Sequence, residues 1–240
     1  MAVLSGILID GLSYGMILFM VSVGLSVTMG LMRVINLAHG GFALLGGATA
    51  HWLTTNTDLG YYFSVILAVL ATMIFAIAME KIFYRKIYKF TELQQVLATI
   101  GITFLMIASV NFLLGSTILP IRSPEFFSSS VDLGFRTLPV HRIVVIIAGM
   151  AIALGLYILL DKTRFGIQLR AAVDNRNMAA SLGINTAKVY ALSFALGAGL
   201  AAFGGILGAE LLPIVAYFPL RYMGLFLVVV AVGGLGSIAG

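Results

Sequence analysis

Seven long, almost uncharged apolar runs dominate this chain, at about 7–29, 35–53, 62–78, 96–114, 143–160, 189–212 and 223–240. Each is close to the roughly 20 apolar residues a helix needs to cross a hydrocarbon core about 30 Å thick. None shows the period-two alternation of a membrane β-strand. Backbone amides in lipid find no water, so unbroken runs of this kind fold as helices that satisfy their own hydrogen bonds. The expected fold is all-α, a polytopic transmembrane helical bundle of about seven spans forming one domain over 1–240. Composition agrees, with 61% hydrophobic and 10% charged residues, against about 45–50% and about 25% in soluble domains. So few charges cannot cover a water-facing exterior.

The charges that remain sit between the runs. Arg33, the group Lys81, Arg85, Lys86 and Lys89, and the group Lys162, Arg164, Arg170, Arg176 and Lys188 put ten basic residues on one side. Arg122, Arg136, Arg142 and Arg221 put four on the other. The positive-inside rule assigns the richer side to the cytoplasm and the N-terminus to the outside. The formal charge of +5 therefore reads as topology and contact with anionic lipid, not as a nucleic-acid surface. The N-terminus lacks the basic region of a cleavable signal, so the first run is read as a retained span. With no cysteine, disulfides, thiolate metal sites and thiol nucleophiles are excluded. His39, His51 and His141 have no metal-ligand spacing, so no metal site is expected. The chain has no Gly-Lys pair and hence no phosphate-binding loop, so any ATP is bound elsewhere.

Two connections are long. The external one, 115–141, carries Pro120, Pro124, Pro139 and the run Ser128-Ser129-Ser130, and its apolar content predicts a segment packed over the bundle. The cytoplasmic one, 161–188, predicts a helix over 167–182 ended by Gly183 at the C′ position. Leu169, Ala172, Val173, Ala179 and Leu182 share one face at spacings of three and four, with Arg170, Asp174 and Arg176 off it. Such a helix suits either a groove on a partner or the inner leaflet surface. Ala171, Ala172, Ala179 and Ala180 would permit close approach.

The second run opens unusually, with Asn36, Leu37, Ala38, His39, Gly40 and Gly41. The glycines weaken regular helix by about 1 kcal/mol each relative to Ala. Asn36 can cap, and His39 at depth needs a polar partner. One reading is a discontinuous helix whose N-terminus faces a pathway and offers amides to a carboxylate. The other is close helix packing at Gly40, Gly41, Gly46 and Gly47, with His39 bonded to a neighbouring helix. Asp10, Glu210, His51 and Asn111 fall near the outer ends of their spans and are weaker candidates. Gly197, Ala201, Gly205 and Ala209 form a small-residue ridge for helix contact.

Residues 170–185, Arg-Ala-Ala-Val-Asp-Asn-Arg-Asn-Met-Ala-Ala-Ser-Leu-Gly-Ile-Asn, closely resemble the permeases of ABC importers for branched-chain amino acids. The stretch 30–40, Gly-Leu-Met-Arg-Val-Ile-Asn-Leu-Ala-His-Gly, is similar to that family's Ile-Asn-Phe-Ala-His-Gly-Glu segment. Residues 233–240, Gly-Gly-Leu-Gly-Ser-Ile-Ala-Gly, are similar to its late Gly-Gly-Ile-Gly-Ser motif. The resemblance implies a permease subunit in the bacterial inner membrane, forming a pathway for branched-chain or related hydrophobic amino acids. The implied partners are cytoplasmic ABC ATPase subunits, a second homologous permease subunit and an external solute-binding protein. It implies contact with the ATPase through Arg170, Ala171, Ala172, Asp174, Asn175, Ala179, Leu182 and Gly183, with ATP used there and no cofactor bound by this chain. The family's usual glutamate after His-Gly is Gly41 here, so no acid role carries over. Family members usually continue for another helix or two, which implies a C-terminally shortened chain. Permeases for urea, short amides or another small solute, and ion-coupled secondary transporters, stay open as alternatives.

Overall fold

The computed structural model describes residues 2–28, 36–132 and 137–234. Arg33 and Arg136, the first part of the 30–40 motif and nearly all of the 233–240 motif lie outside the described residues. Eleven α-helical segments and one short hairpin follow in order: α1 Ala2–Ser26, α2 His39–Asn56, α3 Tyr61–Met79, α4 Arg85–Ile87, α5 Glu92–Leu114, α6 Glu125–Ser128, β1 Ser130–Asp132, β2 Thr137–Pro139, α7 Val140–Lys162, α8 Arg164–Asp174, α9 Arg176–Ser181, α10 Thr186–Gly208 and α11 Phe218–Gly233. A π-helical turn, Glu80–Tyr84, joins α3 to α4, giving one continuous helix over Tyr61–Ile87. Among the described residues five helices are long and apolar enough to cross a membrane: Gly6–Ser26, Tyr61–Ile87, Glu92–Leu114, Val140–Lys162 and Thr186–Gly208. α2 and the shorter apolar α11 pack within the same bundle.

The third span differs from the sequence reading at its end. Lys81, Arg85 and Lys86 belong to the helix and not to a loop. Long basic side chains keep their charge at the interface while their stems follow the helix, so charge alone does not end it. The basic cluster is a helix terminus.

α10 is the axis of the bundle, with sixteen of its 23 residues buried. It packs against α1, α2 and α3. Small residues make this possible on several sides at once. A Cβ added to Gly197 would lie 2.8 Å from the carbonyl oxygen of Gly24 in α1, and one added to Gly205 would lie 2.7 Å from that of Ala43 in α2. On a third side, Gly199 faces Met73 of α3. The ridge expected at 197, 201, 205 and 209 is therefore one part of a helix that is small almost all round. Without a hydrophobic drive between helices in lipid, such close backbone approach is what holds them together.

The 115–141 connection does pack over one end of the bundle. Leu119 donates its backbone N–H to Ile214 O at 2.9 Å, and both side chains are buried. Phe127 of α6 is buried against Tyr61 and His141. β1 and β2 pair antiparallel with Val131 opposite Leu138. At the same end Asp10 pairs with Arg142, linking α1 to α7. His141 Nε2 lies 2.8 Å from Leu207 O, and its Nδ1 lies 3.2 Å from a Glu210 carboxylate oxygen. His51 Nδ1 meets Pro120 O. These polar side chains tie helices to one another and to the loops at this end.

Candidate pathway and coupling segments

The polypeptide entering α2 is not helical, and other helices hold it in place. Asn36 is fully buried. Its Oδ1 accepts from Ala38 N at 3.1 Å, an Asx turn, and from the Tyr84 hydroxyl at 2.8 Å. Leu37 donates its N–H to Thr99 Oγ1 at 3.2 Å, and Thr103 Oγ1 donates to Leu37 O at 3.2 Å. Two threonines of α5 thus clamp one residue of the lead-in. The Asn36 amide nitrogen is buried and has no hydrogen-bond partner among the described residues.

His39 opens α2, and its Nε2–H donates to the Val21 carbonyl of α1 at 3.0 Å. A carbonyl only accepts, so this contact fixes which ring nitrogen carries the proton. The amides that a helix start would offer to an anion are mostly engaged. Ala38 N bonds Asn36 Oδ1, His39 N reaches Asn36 O at 3.4 Å, and Gly41 N bonds Ala38 O at 2.9 Å. A Cβ on Gly40 would lie 3.2 Å from Pro219 Cα of α11, and one on Gly41 would run into the Met106 sulfur of α5. Asn36, His39, Gly40 and Gly41 are therefore brought together, buried and sealed by α5 and α11. A polar partner for His39 appears as expected, whereas Asn36 does not cap α2: the N-cap position is Ala38, which takes no side-chain cap bond, and Asn36 instead makes an Asx turn in the lead-in. The glycines serve helix contact in this closed arrangement.

Thr99, Thr103 and Tyr84 escaped the sequence reading. Gln95, Thr99 and Thr103 recur every fourth residue and are all buried. A polar stripe on an otherwise apolar helix is the signal that could have found them.

The 161–188 connection departs from the single helix expected over 167–182. It forms two helices, because Asn175 adopts φ −145°, ψ 96° and its side chain accepts from Met178 N at 3.0 Å. Asparagine competes for backbone donors in this way and starts a new helix. Gly183 does end the second one. Its φ is +83°, with Ile184 N donating to Ala179 O and Gly183 N to Ala180 O, both at 3.0 Å. This is the paired bonding of a Schellman cap, in which glycine avoids the Cβ clash.

The faces also change. Leu169, Ala172 and Ala179 are buried against Val23, Val27, Leu156, Leu160 and Val189 of this chain itself. Leu182, expected beside them, is 75% exposed. The common face survives the break at Asn175 as far as Ala179, and it ends where Leu182 leaves the helical path as the C-cap residue of α9, with φ −84°, ψ 9°. Ala172 and Ala179 anchor the segment inward, and Ala171 is half-buried. Arg170, Asp174, Asn175 and Gly183 are exposed, and Ile167, Met178 and Leu182 form the outward apolar surface, each more than half exposed. Arg170 Nη1 also reaches Leu160 O and, at 3.3 Å, Asp161. Tyr190 of α10, likewise missed, donates its hydroxyl to Ala172 O at 2.8 Å.

An apolar helical bundle of this kind, with a buried polar-and-glycine entry at its centre and a two-helix connection clamped to one end, defines a multi-pass membrane protein of the transport-permease class. The chain belongs to the family of the branched-chain amino acid transport system permease component, whose pattern matches residues 7–240. It is similar to the high-affinity branched-chain amino acid transport system permease protein LivH of Escherichia coli strain K12, at 24% identity over 96% of this chain and 79% of that protein. It is 25% identical to the corresponding protein BraD of Pseudomonas aeruginosa, over 83% of this chain and 69% of that one. A probable branched-chain amino acid transport permease, LivH of Methanocaldococcus jannaschii, is 29% identical over 83% and 64%. No solved structure matches the chain. Membership of this family, together with the apolar helices, makes this a multi-pass protein of the plasma membrane.

Proposed function

We propose that this chain forms part of the pathway of an ABC-type importer for branched-chain or related hydrophobic amino acids, with ATP bound and hydrolysed on a separate cytoplasmic subunit. In this reading the chain moves solute and does no catalysis of its own. The α8–α9 end faces the cytoplasm, a second permease completes the pathway, and an external binding protein delivers substrate at the hairpin end. The observation that carries the reading is the α8–α9 segment. It is pinned to the bundle by Leu169, Ala172 and Ala179, while Met178 and Leu182, at 65% and 75% exposure, project outward. Apolar side chains held rigidly at a polar surface are suited to a partner's groove.

Movement there must reach the lead-in of α2, which lies sealed beneath Pro219 and Met106. Displacing α11 or α5 would uncover Gly40, Gly41 and the Asn36 amide, which can donate to a substrate carboxylate. Met178→Asp and Leu182→Asp test the assignment, since neither side chain supports the core. Loss of ATPase co-purification and of amino-acid uptake, at unchanged membrane abundance, is expected. Full association and uptake in the double variant would overturn it.

A further inference from the structure

Between the coupling segment and the start of α2 runs an unbroken set of side-chain contacts. The Arg176 guanidinium of α9 lies 5.3 Å from the Tyr190 ring centroid, and the Tyr190 hydroxyl holds the α8 carbonyl of Ala172. One side chain thus touches both helices of the segment. The Tyr190 ring meets that of Tyr88, just beyond α4, edge-on at 6.2 Å. Tyr88 meets Tyr84 at 6.4 Å, and the Tyr84 hydroxyl donates to Asn36 Oδ1. Tyr84 is fully buried, with Phe194 of α10 4.4 Å away on another side. Chain positions 176 and 36 are linked by three tyrosines.

Local structure places these rings. Tyr84 ends the π-helical turn that begins at Glu80, and Glu80, itself 1% exposed, pairs with Arg85 at 3.3 Å. A π turn inserts an extra residue and resets the direction of every side chain beyond it, and such turns recur at functional sites. Here the reset aims Tyr84 at Asn36 and Tyr88 at Tyr190.

We propose that Tyr190, Tyr88 and Tyr84 are positioning residues that transmit displacement of α8–α9 to the lead-in of α2. The proposal rests on the reading of α8–α9 as the ATPase-coupling segment. Packed aromatic interiors are stiff and transmit strain, so a shift of Tyr190 cannot be absorbed within the stack. The receiving segment can yield. Residues 36–38 lack a helical ladder and are held by a few side-chain bonds, the kind of element drawn from the low-stability end of a fold. Moving Tyr84 withdraws a donor from Asn36 and loosens the turn that seals α2.

The test uses the assembled transporter in liposomes, with its ATPase, second permease and binding protein, and measures both ATP hydrolysis and amino acid transported per ATP. Tyr190→Leu and Tyr84→Leu are expected to leave ATPase association and hydrolysis in place and to cut transport per ATP about fivefold or more. Tyr190→Phe, which keeps the ring and loses the hydroxyl, should retain more than Tyr190→Leu. The double Leu variant should be no worse than either single one, because contacts in series are not additive. Wild-type transport per ATP in the Leu variants, or a double effect equal to the product of the singles, overturns the proposal. Should the Leu variants fail to assemble, unchanged transport per ATP in both Tyr190→Phe and Tyr84→Phe overturns it equally. Failure of the coupling reading shows separately, as ATPase association that survives the aspartates at 178 and 182.

Discussion

Gly183 offers the sharpest test of how the proposed coupling segment is built. A Cβ at this position would meet nothing within 4 Å, yet the backbone sits at φ +83°. Any loss on substitution is therefore backbone strain and cap geometry, with no contribution from displaced neighbours. A non-glycine residue in the left-handed region costs about 1–2 kcal/mol, and a β-branched one lies at or beyond the upper end. Gly183→Val should thus shift the cap toward the open form by about thirtyfold if it costs about 2 kcal/mol. Gly183→Asn should cost much less, since asparagine tolerates this conformation. Hydrogen exchange at the Gly183 and Ile184 amides, which donate to Ala180 and Ala179, reads the cap directly. The expected order of lost protection is Val, then Ala, then Asn. Transport per ATP should fall in the same order, because Leu182 leaves its outward position when the cap opens, while insertion is unaffected. Normal protection and normal coupling in Gly183→Val would refute the reasoning.

Gly197→Ala should force α10 away from the Gly24 carbonyl, because backbone cannot give as a side chain can, at a cost of about 1–3 kcal/mol. A lower melting midpoint in detergent checks this, with Gly155→Ala, which faces open space, as the unaffected control. Asn36→Ala together with His39→Ala strips the acceptor from Ala38 N and the Tyr84 hydroxyl and the donor from Val21 O. Uptake should fall more than membrane abundance; uptake that merely tracks abundance would reduce this segment to packing.

The bundle was legible because the solvent imposes it: long apolar runs between charged loops leave helices as the available fold. Gly183 was legible for a similar reason, since a helix end needs a residue that accepts positive φ. The break at Asn175 was not, because an asparagine inside a helix-forming stretch reads as a surface residue until its side chain is seen capping Met178. Leu169, Ala172 and Ala179 kept one face across that break, and Leu182 turned outward at the C-cap of the second helix. The extension of the third span through Lys81 and Arg85 was hidden by the habit of ending helices at charge. At the α2 entry, Asn36 and His39 were readable as residues in need of partners. Their partners, Tyr84 and Val21, lie 48 and 18 residues away in sequence. Periodicity carries no information at that range.

Coupling of the proposed kind requires α8–α9 to face the compartment that holds the ATPase. The chain has no cysteine, so Asn177→Cys, at an exposed position on α9, gives a single thiol for an impermeant maleimide. Labelling in inside-out vesicles and its absence in intact cells is the predicted result. Labelling from the outside of intact cells would place the segment beyond reach of any nucleotide-driven partner and contradict the mechanism.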